Sequence, residues 1–188
     1  QEEIYDDFCT AVVAEAKAPV LGNGLDDGVT MGPVTTAGHR EKTLRLIRDA
    51  VDKGARLLCG GGVPANHATG YFVEPTILAD VTPEMAVMAE EPFCPIMPII
   101  PFKTTDEALA AANATEYALA AYIATRDMGT GIRVAEGLDA GIISIADFSP
   151  ATVLCPFGGM KQSGIGREGG REGILEYMES KYVSLAME

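Results

Sequence analysis

Three apolar runs decide the fold class: Ile96-Met97-Pro98-Ile99-Ile100-Pro101-Phe102, Leu119-Ala120-Ala121-Tyr122-Ile123-Ala124-Thr125 and Gly141-Ile142-Ile143-Ser144-Ile145-Ala146. Each is continuously apolar, the pattern of a strand covered on both faces. Between the runs lie helical patterns, one capped by Thr104 and running through Asn113, another from Asp127 to Leu138. Strands alternating with amphipathic helices predict an α/β fold, a parallel sheet with helices on both faces.

Towards the N-terminus, Ile4, Phe8, Ala11, Val12 and Ala16 recur at helical steps from Glu3 to Lys17, and Pro19 stops the pattern. A second helix is expected from Thr36 to Lys53, with Leu44, Ile47 and Val51 on one stripe and Lys42, Arg45 and Arg48 mostly on another. Gly54 supplies its left-handed end. Arg56 to Cys59 reads as a short strand, residues 63–70 as a surface loop, and Tyr71 to Leu78 as a strand whose Pro75 favours an edge or a bulge. Towards the C-terminus, a glycine-rich turn from Cys155 to Glu168 leads into a helix expected to last to Met178, and Lys181 to Ala186 reads as a final strand. No repeat and no linker divides the 188 residues, so one body from 1 to 178 followed by a tail strand, 179–188, is expected.

Fourteen basic against 27 acidic residues leave a net charge of −13, which argues against nucleic acid and anionic membranes as partners. Residues 1–31 hold seven acids and one base and read as a solvated helix face followed by an acidic loop. No apolar run reaches the roughly 20 residues of a spanning helix. Cys9, Cys59, Cys94 and Cys155 form no Cys-x-x-Cys pair, so no zinc knuckle or disulfide frame is suggested, and a reducing cytoplasm is the simplest compartment.

Self-contained catalytic sets are missing. Gly-x-Gly-x-x-Gly follows no expected strand, and neither a phosphate loop nor a Gly-x-Ser-x-Gly elbow occurs. His39 and His67 are too few for a metal triad and read as surface residues without a task. Cys9 and Cys59 read as small apolar side chains. Cys94 is flanked by acids that oppose a thiolate, and nothing near Cys155 would lower its pKa. Glu90-Glu91-Pro92-Phe93 sets carboxylates beside an aromatic ring. Such a group can accept the hydroxyl protons of a ribose while the ring packs on a flat heterocycle; an ordinary acidic turn over a buried Phe is the plainer reading.

Several motifs in series change that balance. Met31-Gly32-Pro33, Tyr71-Phe72-Val73-Glu74-Pro75-Thr76, Glu90-Glu91-Pro92-Phe93, Thr115-Glu116-Tyr117, and Pro156-Phe157-Gly158-Gly159 with Lys161, Ser163-Gly164 and Gly166-Arg167-Glu168 stand in the order and spacing of the aldehyde dehydrogenase superfamily. The resemblance covers essentially the whole chain, and the tail from Gly166 to Tyr177 looks most like the succinate-semialdehyde dehydrogenase branch. It implies oxidation of an aldehyde to a carboxylate with NAD or NADP. In that chemistry a cysteine thiolate attacks the carbonyl, hydride passes to the nicotinamide, and a glutamate helps water release the acid.

The resemblance assigns Glu91 to the nicotinamide ribose and Phe93 to the ring packed beside it. Phe157 resembles a wall of the aldehyde tunnel. The stretch from Ser149 to Cys155, including Thr152, resembles the loop that shapes substrate choice. Lys181 to Ala186 resembles the strand through which such enzymes form homo-oligomers. The family's nucleophile motif Gly-Gln-x-Cys, its base motif Glu-Leu-Gly-Gly and its dinucleotide-binding domain have no counterpart in these residues, so no catalytic residue is assigned. They are expected in a missing N-terminal part of the same enzyme, and the chain alone is expected to be inactive. Two positions depart from the pattern: Cys94 stands where the family usually has Gly, and Ala146 where it usually has Asn. Those departures keep open the alternative of a non-catalytic oligomerisation or partner-binding module on the same fold.

Overall fold

A computed structural model describes residues 1–67 and 69–187. They group into two compact units, Gln1–Lys103 and Thr104 onward. The sequence marks no linker there because Thr104 opens a helix at once.

The first unit is built around one strand. Helix α1 (Tyr5–Ala16) follows a 3-10 turn, Glu2–Ile4, and carries Asp6 and Asp7 in its first turn, where carboxylates favour the helix dipole. Helix α2 (Ala37–Asp52) starts at Thr36, whose hydroxyl accepts the His39 N–H, and ends before Gly54, which adopts φ +103°. Strand β1 (Arg56–Cys59) pairs antiparallel with β2 (Thr76–Ala79), which pairs in parallel with β3 (Ile96–Pro98). The short helix α3 (Ala86–Ala89) lies between β2 and β3 in sequence.

All four residues of β2 are buried. Leu78 points into a cluster with Ile47 and Ala50 of α2 and with Val81, Met85 and Val87. Ile77 and Ala79 point the other way, into a cluster with Cys9 of α1 and Ile99. Both alternate faces of β2 are therefore covered, whereas β3, on the first of the three apolar runs for which burial on both faces is expected, holds no fully buried residue. The strand expected from Tyr71 to Leu78, with Pro75 at an edge or a bulge, is instead the central Thr76–Ala79, and Pro75 lies outside it. It precedes the central strand, where its missing N–H costs no ladder bond, and the ladder opens with Thr76 N–H donating to the Pro95 carbonyl, 2.8 Å.

In the second unit, helix α4 (Thr105–Asn113) begins with a capping box between Thr104 and Glu107. Strand β4 (Tyr117–Ala118) is followed by β5 (Ala120–Ile123), helix α5 (Met128–Gly137) capped by Asp127, and β6 (Ile142–Ile145). β5 and β6 run parallel over four pairs from Ala120↔Ile142 to Ile123↔Ile145, as the two apolar runs predict. β4 pairs antiparallel with β7 (Met160–Lys161). Helix α6 (Glu172–Leu175) is shorter than expected, with Gly173 in its middle and only i→i+3 bonds beyond it, at Tyr177 and Met178. Residues 181–187 form no strand within the chain and are exposed, Tyr182 at 90% and Leu185 at 82%. A strand needs a neighbour for its ladder, and no described segment supplies one.

Tyr5 ties α1 to the sheet. Its hydroxyl donates to Asp80 Oδ1 (2.8 Å) and accepts the Asp80 N–H (2.7 Å), while the other carboxylate oxygen meets Arg56 Nε. Burial pushes the Tyr5 phenol up to about 12. The Arg56 guanidinium, aided by the Tyr5 hydroxyl, holds the Asp80 carboxyl below the usual carboxylate range. A carboxyl whose folded pKa is depressed adds stability above its ordinary pKa of about 4 and loses it as pH falls through the folded value. Thermal unfolding of the chain is expected to drop steeply below pH 4, and Asp80→Asn to be less stable at pH 7 with a shallower acid slope. Parallel slopes for the two proteins would contradict this.

Candidate cofactor and substrate site

The residues expected to hold the nicotinamide ribose lie on the turn between α3 and β3. Phe93 sits at φ +46° with 80% of its surface exposed. A bulky residue at positive φ is strained, and here the strain turns an aromatic ring outward to solvent. The Phe is therefore not buried beneath an ordinary acidic turn. Glu91, two residues earlier, is also exposed. A carboxylate and an exposed ring on one turn fit a ribose diol and its attached flat ring, so these residues suit the implied dinucleotide.

Helix α2 holds this turn. Lys42 Nζ donates to the Glu91 carbonyl (2.6 Å), His39 Nε2 to the Pro92 carbonyl (3.1 Å), and Arg45 Nη2 meets Glu90 Oε2 at 2.6 Å. A carbonyl only accepts, so the His39 proton must sit on Nε2. One turn further along, Asp49 Oδ2 accepts the Ala86 N–H (2.7 Å) and Asp49 also pairs with Lys53. Arg45 holds the Glu90 carboxyl below its usual range, and Lys53 followed by the Ala86 N–H does the same for Asp49. His39 is thus not a surface residue without a task. Nothing at the start of an amphipathic helix tells which distant segment will cross it.

Cys94 is half-buried, and burial pushes its thiol up, opposed in part by a hydrogen bond with Thr43 and by the charge of Lys42. The direction matches the sequence reading, but the chief cause is burial and not the acidic neighbours. Within this turn the positive φ falls on Phe93 and not on Cys94.

The second group belongs to the second unit. The glycine-rich turn is fastened by its own motif residues. Lys161 Nζ donates to the carbonyls of Asn113 (3.0 Å) and Thr115 (3.4 Å) and pairs with Asp139 Oδ2 (2.9 Å). Ser163 Oγ accepts the Ala118 N–H, and Arg167 Nη1 reaches the Gly159 and Gly166 carbonyls at 2.8 and 2.6 Å. Phe157 and Glu168 exchange two backbone hydrogen bonds of 2.7 Å. A Cβ on Gly141 would stand 1.9 Å from the Gly158 carbonyl oxygen, so only glycine lets the turn lie against β6's entry.

Phe157 lines a cavity of about 380 Å³ together with Gly158, Gly159, Ser163, Arg167 and Tyr177. Ser149, Thr152 and Cys155 are not among its walls. They stand on an exposed stretch folded by local bonds, Ser149 N–H to Asp147 Oδ1, Leu154 N–H to Thr152 Oγ1 and Cys155 N–H to the Thr152 carbonyl. That stretch opens at Ala146, which takes φ +55° immediately after β6. Phe148 then stacks on Tyr122 of β5 with ring centroids 5.8 Å apart. In parallel sheets ligands gather beyond the carboxyl ends of the strands, which is where this stretch begins. Among the described residues no group of three or more His, Cys, Asp or Glu side chains is arranged to hold a metal ion, and no helix is long and apolar enough to cross a membrane.

Residues 1–183 match the sequence model of the aldehyde dehydrogenase family. The chain belongs to that family. It is 45% identical over 186 residues to a 3-sulfolactaldehyde dehydrogenase of Pseudomonas putida, covering 98% of this chain and 38% of the relative. It is 39% identical to a mitochondrial succinate-semialdehyde dehydrogenase of Oryza sativa subsp. japonica, covering 98% of this chain and 35% of that protein. A crystal structure of betaine aldehyde dehydrogenase from Staphylococcus aureus in complex with NAD+ superposes with a TM-score of 0.91 at 39% identity, covering 96% of this chain and 36% of that one. The aldehyde dehydrogenase chain thus spans a little over a third of the length of these relatives.

Two substitutions in this aldehyde dehydrogenase chain test the second group. Alanine in the left-handed region costs about 1 kcal/mol, so Ala146→Gly is expected to stabilise by about 0.5–1 kcal/mol in urea unfolding. Lys161→Met removes three charge-assisted contacts from a partly exposed ammonium and is expected to destabilise by about 1–2 kcal/mol. A destabilised Ala146→Gly, or a Lys161→Met indistinguishable from wild type, would refute the respective assignment.

Proposed function

We propose that this chain is part of an NAD- or NADP-dependent aldehyde dehydrogenase, oxidising an aldehyde, with succinate semialdehyde a candidate, to its carboxylate. The observation that carries the reading is the turn at Glu91 and Phe93, where α2 secures a backbone that spends strain on exposing an aromatic ring next to a carboxylate. Glu91 accepts hydrogen bonds from the nicotinamide ribose and Phe93 packs beside it, while the bound dinucleotide supplies the hydride acceptor. Phe157, Ser149, Thr152 and Cys155 shape the passage of the aldehyde. The stretch from 147 to 157 carries no cation, so it offers an anionic aldehyde no positive partner of its own. The nucleophile, the general base and the dinucleotide-binding domain are likewise assigned to a part of the enzyme outside these residues. Residues 179–188 are assigned to pairing with a second subunit, which gives the exposed Tyr182, Val183 and Leu185 something to cover them. Relatives named cytosolic, from Rattus norvegicus and Macroscelides proboscideus, and the four free thiols support a cytoplasmic setting.

The alternative is a non-catalytic module with the same fold. Ala146 in a left-handed conformation that suits the family's Asn better, and a thiol in place of glycine at Cys94, favour it. Expression of the source gene with any in-frame sequence upstream of the codon for Gln1 separates the two. A longer product carrying Gly-Gln-x-Cys and Glu-Leu-Gly-Gly is expected to reduce NAD or NADP with an aldehyde, while the pure 188-residue chain is expected to form no NADH. Steady turnover by the short chain would refute the reading, and a start codon close to Gln1 would favour the module.

A further inference from the structure

The four contacts between α2 and the segment from α3 to Pro92 have an order. His39, Lys42, Arg45 and Asp49 follow one another at steps of three or four residues, so they share one face of the helix. Their partners run in the opposite direction: Pro92, Glu91, Glu90 and Ala86. Each turn of α2 therefore grips a successive point of the segment, as facing strands of a hairpin would. Val87 anchors the α3 end of the segment in the core, and beyond α3 the contacts with α2 carry the rest. Residues 90–93 lie outside any helix or strand, and Phe93 sits in a strained conformation that relaxes when its surroundings stop enforcing it. Two of the contacts are to carbonyl oxygens, at residues 91 and 92, and these fix the two successive peptide units that lead into Phe93.

We propose that this face of α2 is a positioning device for the turn, with His39 and Arg45 as positioning residues that set where the Glu91 carboxylate and the Phe93 ring stand. The consequence for cofactor binding rests on the reading of those two side chains given above. The device acts by pre-ordering. A turn already held in the binding conformation does not have to be ordered when a ligand arrives, so its affinity is higher than that of a loose turn with the same side chains. His39 acts through a donated hydrogen bond and Arg45 through its charge, so each has a conservative replacement that keeps the interaction: Gln for His39 and Lys for Arg45.

The test uses nitrogen-15 relaxation of the whole 188-residue chain, with nicotinamide mononucleotide as the probe because it carries the nicotinamide ribose without the adenosine half. In the wild-type chain the amides of Glu91, Phe93 and Cys94 are expected to show order parameters of about 0.85, like the rest of the rigid backbone. His39→Leu and Arg45→Gln are expected to lower them to below about 0.6, with the amides of β2 unchanged, and to weaken mononucleotide binding several-fold. His39→Gln and Arg45→Lys are expected to restore both. Unchanged order at 91–94 in His39→Leu and Arg45→Gln would overturn the proposal. So would an equal loss in the conservative variants, because the effect would then be a general one of substitution. If the wild-type chain shows ordered amides but no response to the mononucleotide, the cofactor reading of Glu91 and Phe93 fails, while the relaxation data still decide the positioning role.

Discussion

A strand buried on both faces must have its polar backbone satisfied on both edges, and that requirement organises the first unit. β2 meets it with β1 on one edge and β3 on the other, and its side chains alternate between the α1 and α2 clusters. Deleting a buried side chain such as Leu78 typically costs about 2–5 kcal/mol. Such a loss would loosen the contact of α2 with the sheet and, through α2, the turn that carries Glu91 and Phe93. The candidate site is thus supported from below by packing and from the side by polar contacts.

The second unit reaches a comparable end by other means. Its parallel pair is short, and the glycine-rich turn after it has few apolar side chains to bury. Lys161, Ser163 and Arg167 stand in for a core there, each spending its donors or acceptors on backbone groups. This gives a physical reason for the spacing of Lys, Ser and Arg behind the glycines. The glycines let the backbone approach closely, and the polar side chains then satisfy the groups that this approach shields from water.

Much of this was legible in the sequence because the signals are local. Thr36, Thr104 and Asp127 mark helix starts by side-chain capping, and Gly54 marks a stop; all four stand where expected. The apolar runs at 120–123 and 142–145 are long enough to announce a parallel pair, although within this chain only Ser144 of the two strands is buried. What was not legible depends on partners far along the chain. Pro75 looked like a defect in a strand because proline is disfavoured inside one, but the ladder begins one residue later. α3, β4 and β7 have four, two and two residues, too few for any period to show. The contact of His39 with Pro92 joins positions 53 apart, and no local pattern reports it. Residues 181–186 have strand-like composition, yet among the described residues no segment pairs with them.

The opposed order of contacts along α2 also bears on how such a sequence can change in length. From His39 to Asp49 the helix rises about 15 Å at 1.5 Å per residue. The segment from Ala86 to Pro92 could reach about 20 Å if fully extended, but its first part is coiled in α3, leaving little slack. Substitutions along this segment change one contact at a time. A single inserted or deleted residue between Ala86 and Pro92 would shift every later point against its partner and misalign the turn as a whole. The spacing between α3 and Phe93 is therefore a tighter constraint on this chain's evolution than the identity of most residues within it, and gaps in its lineage should fall elsewhere, in an exposed stretch such as 23–28.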